Sequence, residues 1–412
     1  MEIIKFIFLV IYYVIDIIIL LYLLYYFFTG IAAFFSKKKI YKYRPKSKFA
    51  IVIPARNEEK VIATLIHSLK NQKYPKKLYD IFIIPNNCND NTKEVAINSG
   101  AKIIDIDLEA KSKGDVLKYT FESLNNNYNY DAYCVFDADN IVHPEFLKSM
   151  NNALCSGFNV AQGYRDSKNP KDSWISSCYA LFYYVQNFFF NQARMNMGWS
   201  SSINGTGFMV SSEVIKKYGF ETKTITEDIE FSALCALKNE KIAFVKEAIT
   251  YDEQPIGFMT SVKQRMRWSF GTLECLKLYF FKLLSTFLGK KIPQCFDMAI
   301  FFFAPIFQMI SFGIIIFTMF FRAFGYNYYS VINILYENKM ISILLGYIVS
   351  IILSLIVVFV DKKKIKNVFK GIFTLSFFML TWIPINIVCI SKKEFIWEPI
   401  IHNRNVDINS VV

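Results

Sequence analysis

The sequence predicts an α/β protein, a mostly parallel sheet covered by helices and flanked by transmembrane helices. Three observations carry this. Short apolar runs alternate with amphipathic helical patterns from residue 49 onward. Long stretches almost free of charge occupy both ends of the chain. Charged motifs follow the apolar runs, where a parallel sheet presents its ligand-binding edge.

The elements follow in order. Residues 3–35 exceed the roughly 20 apolar residues that cross a bilayer. No small-residue cleavage site follows cleanly, so residues 1–36 are expected to be an uncleaved anchor. The basic run Lys37–Lys48 comes next, and the positive-inside tendency places it, with the domain that follows, in the cytosol. Phe49–Pro54 is a buried strand ended by Pro, and Asn57-Glu58-Glu59 opens a helix carrying Val61, Ile62, Leu65, Ile66 and Leu69. Tyr79–Pro85 is a second strand, and Asp90–Glu94 starts another helix. Lys102–Ile104 is a third strand, Val116–Leu124 a helix, and Ala132–Phe136 a fourth strand that runs directly into Asp137. Tyr179–Phe190 is aromatic but punctuated by polar residues, which suits core or an interfacial helix.

Beyond residue 285 the chain turns apolar again. Residues 296–321 and 340–360 are expected to span, and the cluster Lys362–Lys366 after the second is again basic. Residues 371–390 are interrupted by Pro384 and flanked by Lys370 and Lys392-Lys393, so both a crossing and a re-entrant or interfacial hairpin are open. The organisation is therefore an anchor at 1–36, a cytosolic domain with interfacial helices at its end at 45–285, a membrane region at 296–390 and a tail at 391–412. That is a multi-pass cell-membrane protein with its working domain in the cytoplasm.

Composition removes several classes. The 412 residues are 53% hydrophobic and 17% aromatic, with mean hydropathy +0.27. The net charge is +13, but much of the Lys flanks apolar segments, which suits lipid headgroups and not nucleic acid. Eight Cys without a C-x-x-C pair and only three His argue against zinc and against a disulfide framework. Nearly charge-free spans argue against a channel or transporter. No Gly-rich phosphate loop is present.

Three motifs suggest chemistry. Asp137-Ala138-Asp139 sets two carboxylates at a strand end, the donor type for Mg²⁺ or Mn²⁺ beside a phosphate; solvated turn carboxylates are the bland alternative. Thr226-Glu227-Asp228 precedes a helix. Its acids suit any helix start, while Asp228 could also act as a general base. Gln264, Arg267 and Trp268 share a helix face that offers a phosphate fork and an aromatic plane; a basic membrane-surface helix would carry the same residues. Asn204-Gly205-Thr206-Gly207 is a loop that a ligand could approach closely. Lys113-Gly114 precedes a helix and could touch a phosphate.

In this order the motifs resemble the membrane-integrated branch of the inverting family 2 glycosyltransferases, which includes cellulose, chitin, hyaluronan and poly-N-acetylglucosamine synthases. The resemblance rests on Ile53–Glu58, Lys113-Gly114, Phe136–Asn140, Gln162-Gly163, Asn204–Gly207, Thr226–Asp228 and Gln264–Trp268, and covers residues 49–280. It implies a nucleotide-diphospho-sugar transferase-like fold, a UDP-sugar donor and a divalent metal held by Asp139 and Asp137. It makes Asp228 the catalytic base, with Glu227 beside the acceptor. Pro54, Arg56, Glu58, Asn86, Lys113, Asp137, Gln264, Arg267 and Trp268 are expected to bind the nucleotide sugar. Gly205, Thr206, Glu227 and Trp268 are expected to meet a glycan or lipid-linked acceptor. Trp397 loosely echoes a Trp that follows the last spans of related synthases. Asn86 departs from the pattern, standing where many members carry the Asp that binds the nucleobase, although an amide can still pair with a uracil edge. A polymer channel built from so few spans would need a second copy or an export partner. Single transfer to a lipid carrier and a catalytically silent membrane scaffold are the competing readings.

Overall fold

The computed structural model describes residues 2–35, 40–106, 110, 112–323, 339–392 and 394–395. Lys37–Lys39 and Trp397 lie outside the described residues, as does most of the tail.

Eight strands form one sheet: β1 (Phe49–Ala55), β2 (Tyr79–Pro85), β3 (Lys102–Ile103), β4 (Ala132–Val135), β5 (Ile141–Val142), β6 (Val160–Ser167), β7 (Phe208–Ser211) and β8 (Ile242–Asp252). Their spatial order is β3-β2-β1-β4-β7-β6-β8-β5. The half built from β1–β4 is parallel, as the strand–helix alternation predicts. β7 runs antiparallel to both neighbours and β5 antiparallel to β8. In β1, Phe49, Ile51 and Ile53 face one layer of core while Ala50 and Val52 face the other. This two-sided burial explains a near-continuous apolar run where a one-sided strand would alternate.

The helices are α1 (Glu2–Ile31), α2 (Ile62–Lys70), α3 (Thr92–Asn98), α4 (Lys113–Asn127), α5 (Phe146–Cys155), α6 (Trp174–Val185), α7 (Ala193–Met197), α8 (Ser212–Tyr218), α9 (Glu227–Leu237), α10 (Phe258–Lys290), α11 (Pro293–Phe302), α12 (Ala304–Ala323), α13 (Lys339–Val360), α14 (Ile365–Leu380) and α15 (Trp382–Ser391). α2 starts later than the Asn57-Glu58-Glu59 signal suggests, because Asn57 takes a left-handed φ of 59° and keeps the turn open. α4 starts earlier, since Ser112 and Asp115 form a capping box around its first turn. The aromatic stretch at Tyr179–Phe190 is core: α6 and the π-helical turn Gln186–Gln192 that continues it bury Tyr179, Tyr183, Tyr184 and Phe188.

Among the described residues, two helices are long and apolar enough to cross a membrane, Val10–Phe34 and Ile365–Ser391, or three if α11 and the start of α12, bent by 50°, count as one. Pro384 does not stop the Ile365–Ser391 stretch, because it lies in the first turn of α15, where its missing N–H costs no helical bond. Leu344–Val360 is a shorter apolar helix.

These helices share a core with the sheet. Val357, Val358, Ile372, Leu375 and Phe378 belong to the same buried cluster as Ile51 and Ile53. Polar anchors reinforce the union. Tyr164 Oη donates to Asp361 at 2.6 Å, and Lys363 pairs with Asp166 at 2.5 Å. Fully buried Arg194 pairs with Asp297 of α11 at 2.9 Å, and Tyr25 of α1 donates to the same carboxylate at 2.6 Å.

Candidate active site

The carboxyl ends of β1, β2 and β4 open on one cavity of about 270 Å³. Pro54 lies near the end of β1, Arg56 and Glu58 follow it, Asn86 follows β2, and Asp137 and Asp139 follow β4. The opposite wall is Gly205, Glu227, Asp228, Gln264, Arg267 and Trp268. Lys113, at the first turn of α4, closes the floor. Every residue expected from sequence therefore lines this cavity except Thr206. That side chain is fully buried, accepts the Asp137 N–H at 3.0 Å and donates to Asn140, so it braces the acidic turn and does not face an acceptor.

Lys113 ties the walls together. Its Nζ lies 2.5 Å from Asp137, 2.7 Å from the Gly205 carbonyl and 3.6 Å from Glu227. Burial would lower the Lys113 pKa, but Asp137 and Glu227 outweigh it and hold it above its ordinary value. Glu227 and Asp228 sit side by side, and burial raises both carboxyls, against the pull of Lys113 and Arg267. A group raised this way is more basic than a surface carboxylate, as a general base requires.

Local packing explains why Asp228 points inward. Gly205, at φ +81°, lies over it so closely that an added Cβ would sit 3.3 Å from Asp228 Oδ2. Glu230, one turn on, is fully buried and accepts the N–H groups of Lys223 (2.7 Å) and Thr224 (2.6 Å) and the Tyr279 hydroxyl (2.5 Å), fixing the loop before α9. Thr226 stands at the N-cap position, yet its hydroxyl makes no cap bond. It packs under Gly271 of α10, where any Cβ would come within 2.3 Å of Thr226 Oγ1. That close crossing brings Arg267 and Trp268 to the same cavity as Asp228.

Arg265 turns the other way. It is fully buried, and its guanidinium donates to the Phe378 carbonyl at 3.2 Å and to Thr381 Oγ1 at 2.6 Å, at the junction of α14 and α15. One helix thus presents Gln264, Arg267 and Trp268 to the cavity and Arg265 to the membrane helices.

Sequence reasoning missed Arg165 and Asp252. They pair at 2.6 Å in the cavity wall, and Arg165 also donates to the Asn204 carbonyl at 2.7 Å. Asp252 ends β8 just before Glu253, an acidic strand end like Asp137-Ala138-Asp139, which was the available signal. Burial pushes the Asp252 carboxyl up to about 6; Arg165 opposes the shift and Asp139 adds to it.

Asp252 thus lies near enough to Asp139 to feel its charge, while Asp137, expected as the second metal carboxylate, pairs with Lys113. Asp139 accepts the Glu253 N–H at 3.0 Å, and Asp252 Oδ1 is buried without a hydrogen-bond partner. Among the described residues no group of three or more His, Cys, Asp or Glu forms a closed metal cage. Two carboxylates facing an open cavity fit a hard divalent cation whose other ligands are phosphate oxygens and water.

Comparison with known proteins identifies the family. The profile of the family described as glycosyltransferase like family 2 matches residues 45–271. The probable glycosyltransferase YdaM of Bacillus subtilis is 26% identical over 279 residues, 65% of this chain and 64% of that protein. The β-monoglucosyldiacylglycerol synthase of Trichormus variabilis is 24% identical over 264 residues, 61% of this chain and 54% of that protein. The poly-β-1,6-N-acetyl-D-glucosamine synthase of Staphylococcus aureus is 26% identical over 243 residues, 58% and 57% of the two chains. The chain thus spans between half and two thirds of the length of these curated relatives. Among solved structures, the mannosyltransferase PcManGT of Pyrobaculum calidifontis, in complex with GDP-Man and Mn²⁺, covers 93% of this chain and 100% of its own, at 13% identity and TM-score 0.59, a likeness of fold.

Proposed function

Since the chain belongs to glycosyltransferase family 2, we propose that it moves a hexose from a nucleotide-diphospho-sugar, with UDP-sugar as the first candidate, to an acceptor hydroxyl at the cytosolic membrane face, with inversion at the sugar C1. The observation that carries this is one cavity holding a buried carboxylate of raised basicity, Asp228, together with the cations Arg56, Lys113 and Arg267.

Asp228 takes the proton from the acceptor hydroxyl. The acceptor oxygen bonds to C1 from the face opposite the diphosphate, the C1–O bond breaks, and its electron pair leaves on the nucleotide diphosphate. Lys113 and Arg267 receive that charge, and Arg267 offers the planar fork that suits phosphate. Pro54, Arg56, Glu58 and Asn86 bound the end of the cavity that suits the nucleobase, with the Asn86 amide able to meet a base edge as donor and acceptor. Glu227 positions Lys113. A divalent cation held by Asp139 with Asp252 or Asp137, as Mn²⁺ accompanies GDP-Man in PcManGT, would add charge neutralisation at the leaving group.

The test is incubation of the full chain in detergent or vesicles with UDP-glucose, UDP-N-acetylglucosamine and GDP-mannose, with Mn²⁺ or Mg²⁺. Released nucleotide and product mass are read together. Failure to release nucleotide from any donor, with any acceptor offered, refutes the reading and favours the scaffold.

A further inference from the structure

A second cavity of about 220 Å³ opens behind Asp228. It shares Arg165, Asn204, Thr226, Asp228 and Trp268 with the donor cavity, so the base stands at the junction of the two. Its far wall belongs to the apolar helices: Pro305 and Gln308 from α12, and Met379, Trp382 and Asn386 around the α14–α15 junction.

We infer that this chamber takes the head of an uncharged, hydroxyl-headed lipid, whose hydroxyl reaches Asp228 and whose hydrocarbon lies against α12 and α15. The inference rests on the transfer reading above and names its acceptor. Four observations carry it.

The first is size. A cavity of about 220 Å³ falls below the roughly 300–1,000 Å³ of pockets that enclose a whole drug-sized ligand. The donor cavity, at about 270 Å³, is of like size, so each encloses only part of its ligand, and the rest of the acceptor lies outside the chamber. Outside, on this side, are the helices apolar enough to meet lipid.

The second is charge. Among the described residues Arg165 is the one cation in the lining, and Asp252 already neutralises it at 2.6 Å. With Asp228 present, the chamber leans negative. A phosphorylated lipid head would find no free cation there, whereas a neutral polyol head has no charge to satisfy.

The third is unmet hydrogen bonding. Asn204 Nδ2, Ser269 Oγ and Asn386 Oδ1 are buried in the lining without a partner, on residues no more than 6% exposed. Buried polar atoms of this kind are rare unless a ligand or water completes them. Both donors and acceptors are represented, which matches hydroxyl groups.

The fourth is the wall chemistry. Phe182, Trp268 and Trp382 form a cluster of near-parallel rings, each pair of centroids about 6 Å apart and inclined by 19–26°. Asn386 Nδ2 donates to Gln308 Oε1 at 2.7 Å between two apolar helices. Amides in such helices are expensive, and this bond leaves Asn386 Oδ1 still unpartnered toward the chamber.

The test uses the full-length chain in phosphatidylcholine vesicles with a labelled donor from the panel above. Vesicles carry diacylglycerol or monohexosyl-diacylglycerol, or undecaprenyl phosphate, and a separate arm offers soluble oligosaccharides. The expected result is label in the organic phase, in a product one sugar heavier than the neutral lipid. Label in a water-soluble oligomer, or on undecaprenyl phosphate in preference to the neutral lipids, overturns the lipid assignment while leaving sugar transfer standing. No nucleotide release in any arm overturns the transfer reading itself. Asn386→Leu and Gln308→Leu are expected to raise KM for the neutral lipid about tenfold, with less than a threefold change in donor KM. Equal effects on both substrates would assign the pair to helix packing. The wild-type partition assay decides the acceptor whether or not either variant folds.

Discussion

Replacing Asp228 with Asn probes the reaction most directly. The side chain keeps its shape and fits beneath Gly205, whose backbone leaves only 3.3 Å between an added Cβ and Asp228 Oδ2. The change removes the proton acceptor and one negative charge from a site already lined by Arg56, Lys113 and Arg267. Losing a general base costs about 10²- to 10⁴-fold in kcat, or about 3–5 kcal/mol of barrier. Donor affinity should hold or improve slightly, because the lost charge repelled the diphosphate. Asp228→Glu should not restore turnover, since the extra methylene carries the carboxylate past its place at the junction of the two cavities. The assay is steady-state nucleotide release with donor and acceptor varied separately, alongside donor binding by calorimetry. A kcat within threefold of the parent would refute the base assignment. A parallel collapse of donor binding would show that Asp228 acts through the donor instead.

Four further outcomes are expected. Because burial raises the Glu227 and Asp228 carboxyls, kcat/KM should fall as pH drops through a value above the ordinary carboxylate range; for stability the sign reverses, since the raised pKa favours the fold at acid pH and that contribution is lost as pH rises through it, and an acid limb unchanged in Asp228→Asn would exclude Asp228 as its source. Asp252→Ala leaves Arg165 buried without its counter-charge, and should lower stability by about 3–5 kcal/mol in a thermal or denaturant melt. Gly271→Ala forces a Cβ into Thr226, and should cost about 1–3 kcal/mol together with a drop in kcat larger than any change in donor KM. Chelation should abolish nucleotide release and Mn²⁺ or Mg²⁺ restore it, with Asp139→Ala raising the metal concentration needed; turnover that persists in chelator would remove the cation from the scheme.

Much of the site was legible in sequence because parallel strands end on one edge. Once Phe49–Pro54, Tyr79–Pro85 and Ala132–Phe136 are read as parallel, the residues after them must meet. The illegible parts depend on packing between distant segments. Thr206 reads as a loop residue, yet it is buried because it completes the hydrogen bonds of the acidic turn. Arg165 and Asp252 lie 87 residues apart, and only the pairing of β6 with β8 joins them. Helical spacing separates Arg265 from the face of Gln264 and Arg267, but not even a full helical wheel says that its partner is a helix junction more than a hundred residues away. Pro384 reads as a helix breaker, yet it lies in the first turn of α15, where it leaves the helix intact.

Family similarity stops at residue 271, but cohesion does not. Within 45–271, Arg194 is satisfied by Asp297, Asp166 by Lys363, Tyr164 by Asp361 and Arg265 by the end of α14. Gly371 lies so close to Ser177 that the two backbones leave no space for a methyl group. A fragment cut at the limit of homology would carry orphaned charges and a bare apolar face, and would aggregate instead of folding as a small enzyme. The matched segment is a unit of descent, whereas the unit of folding also contains the apolar helices that follow it.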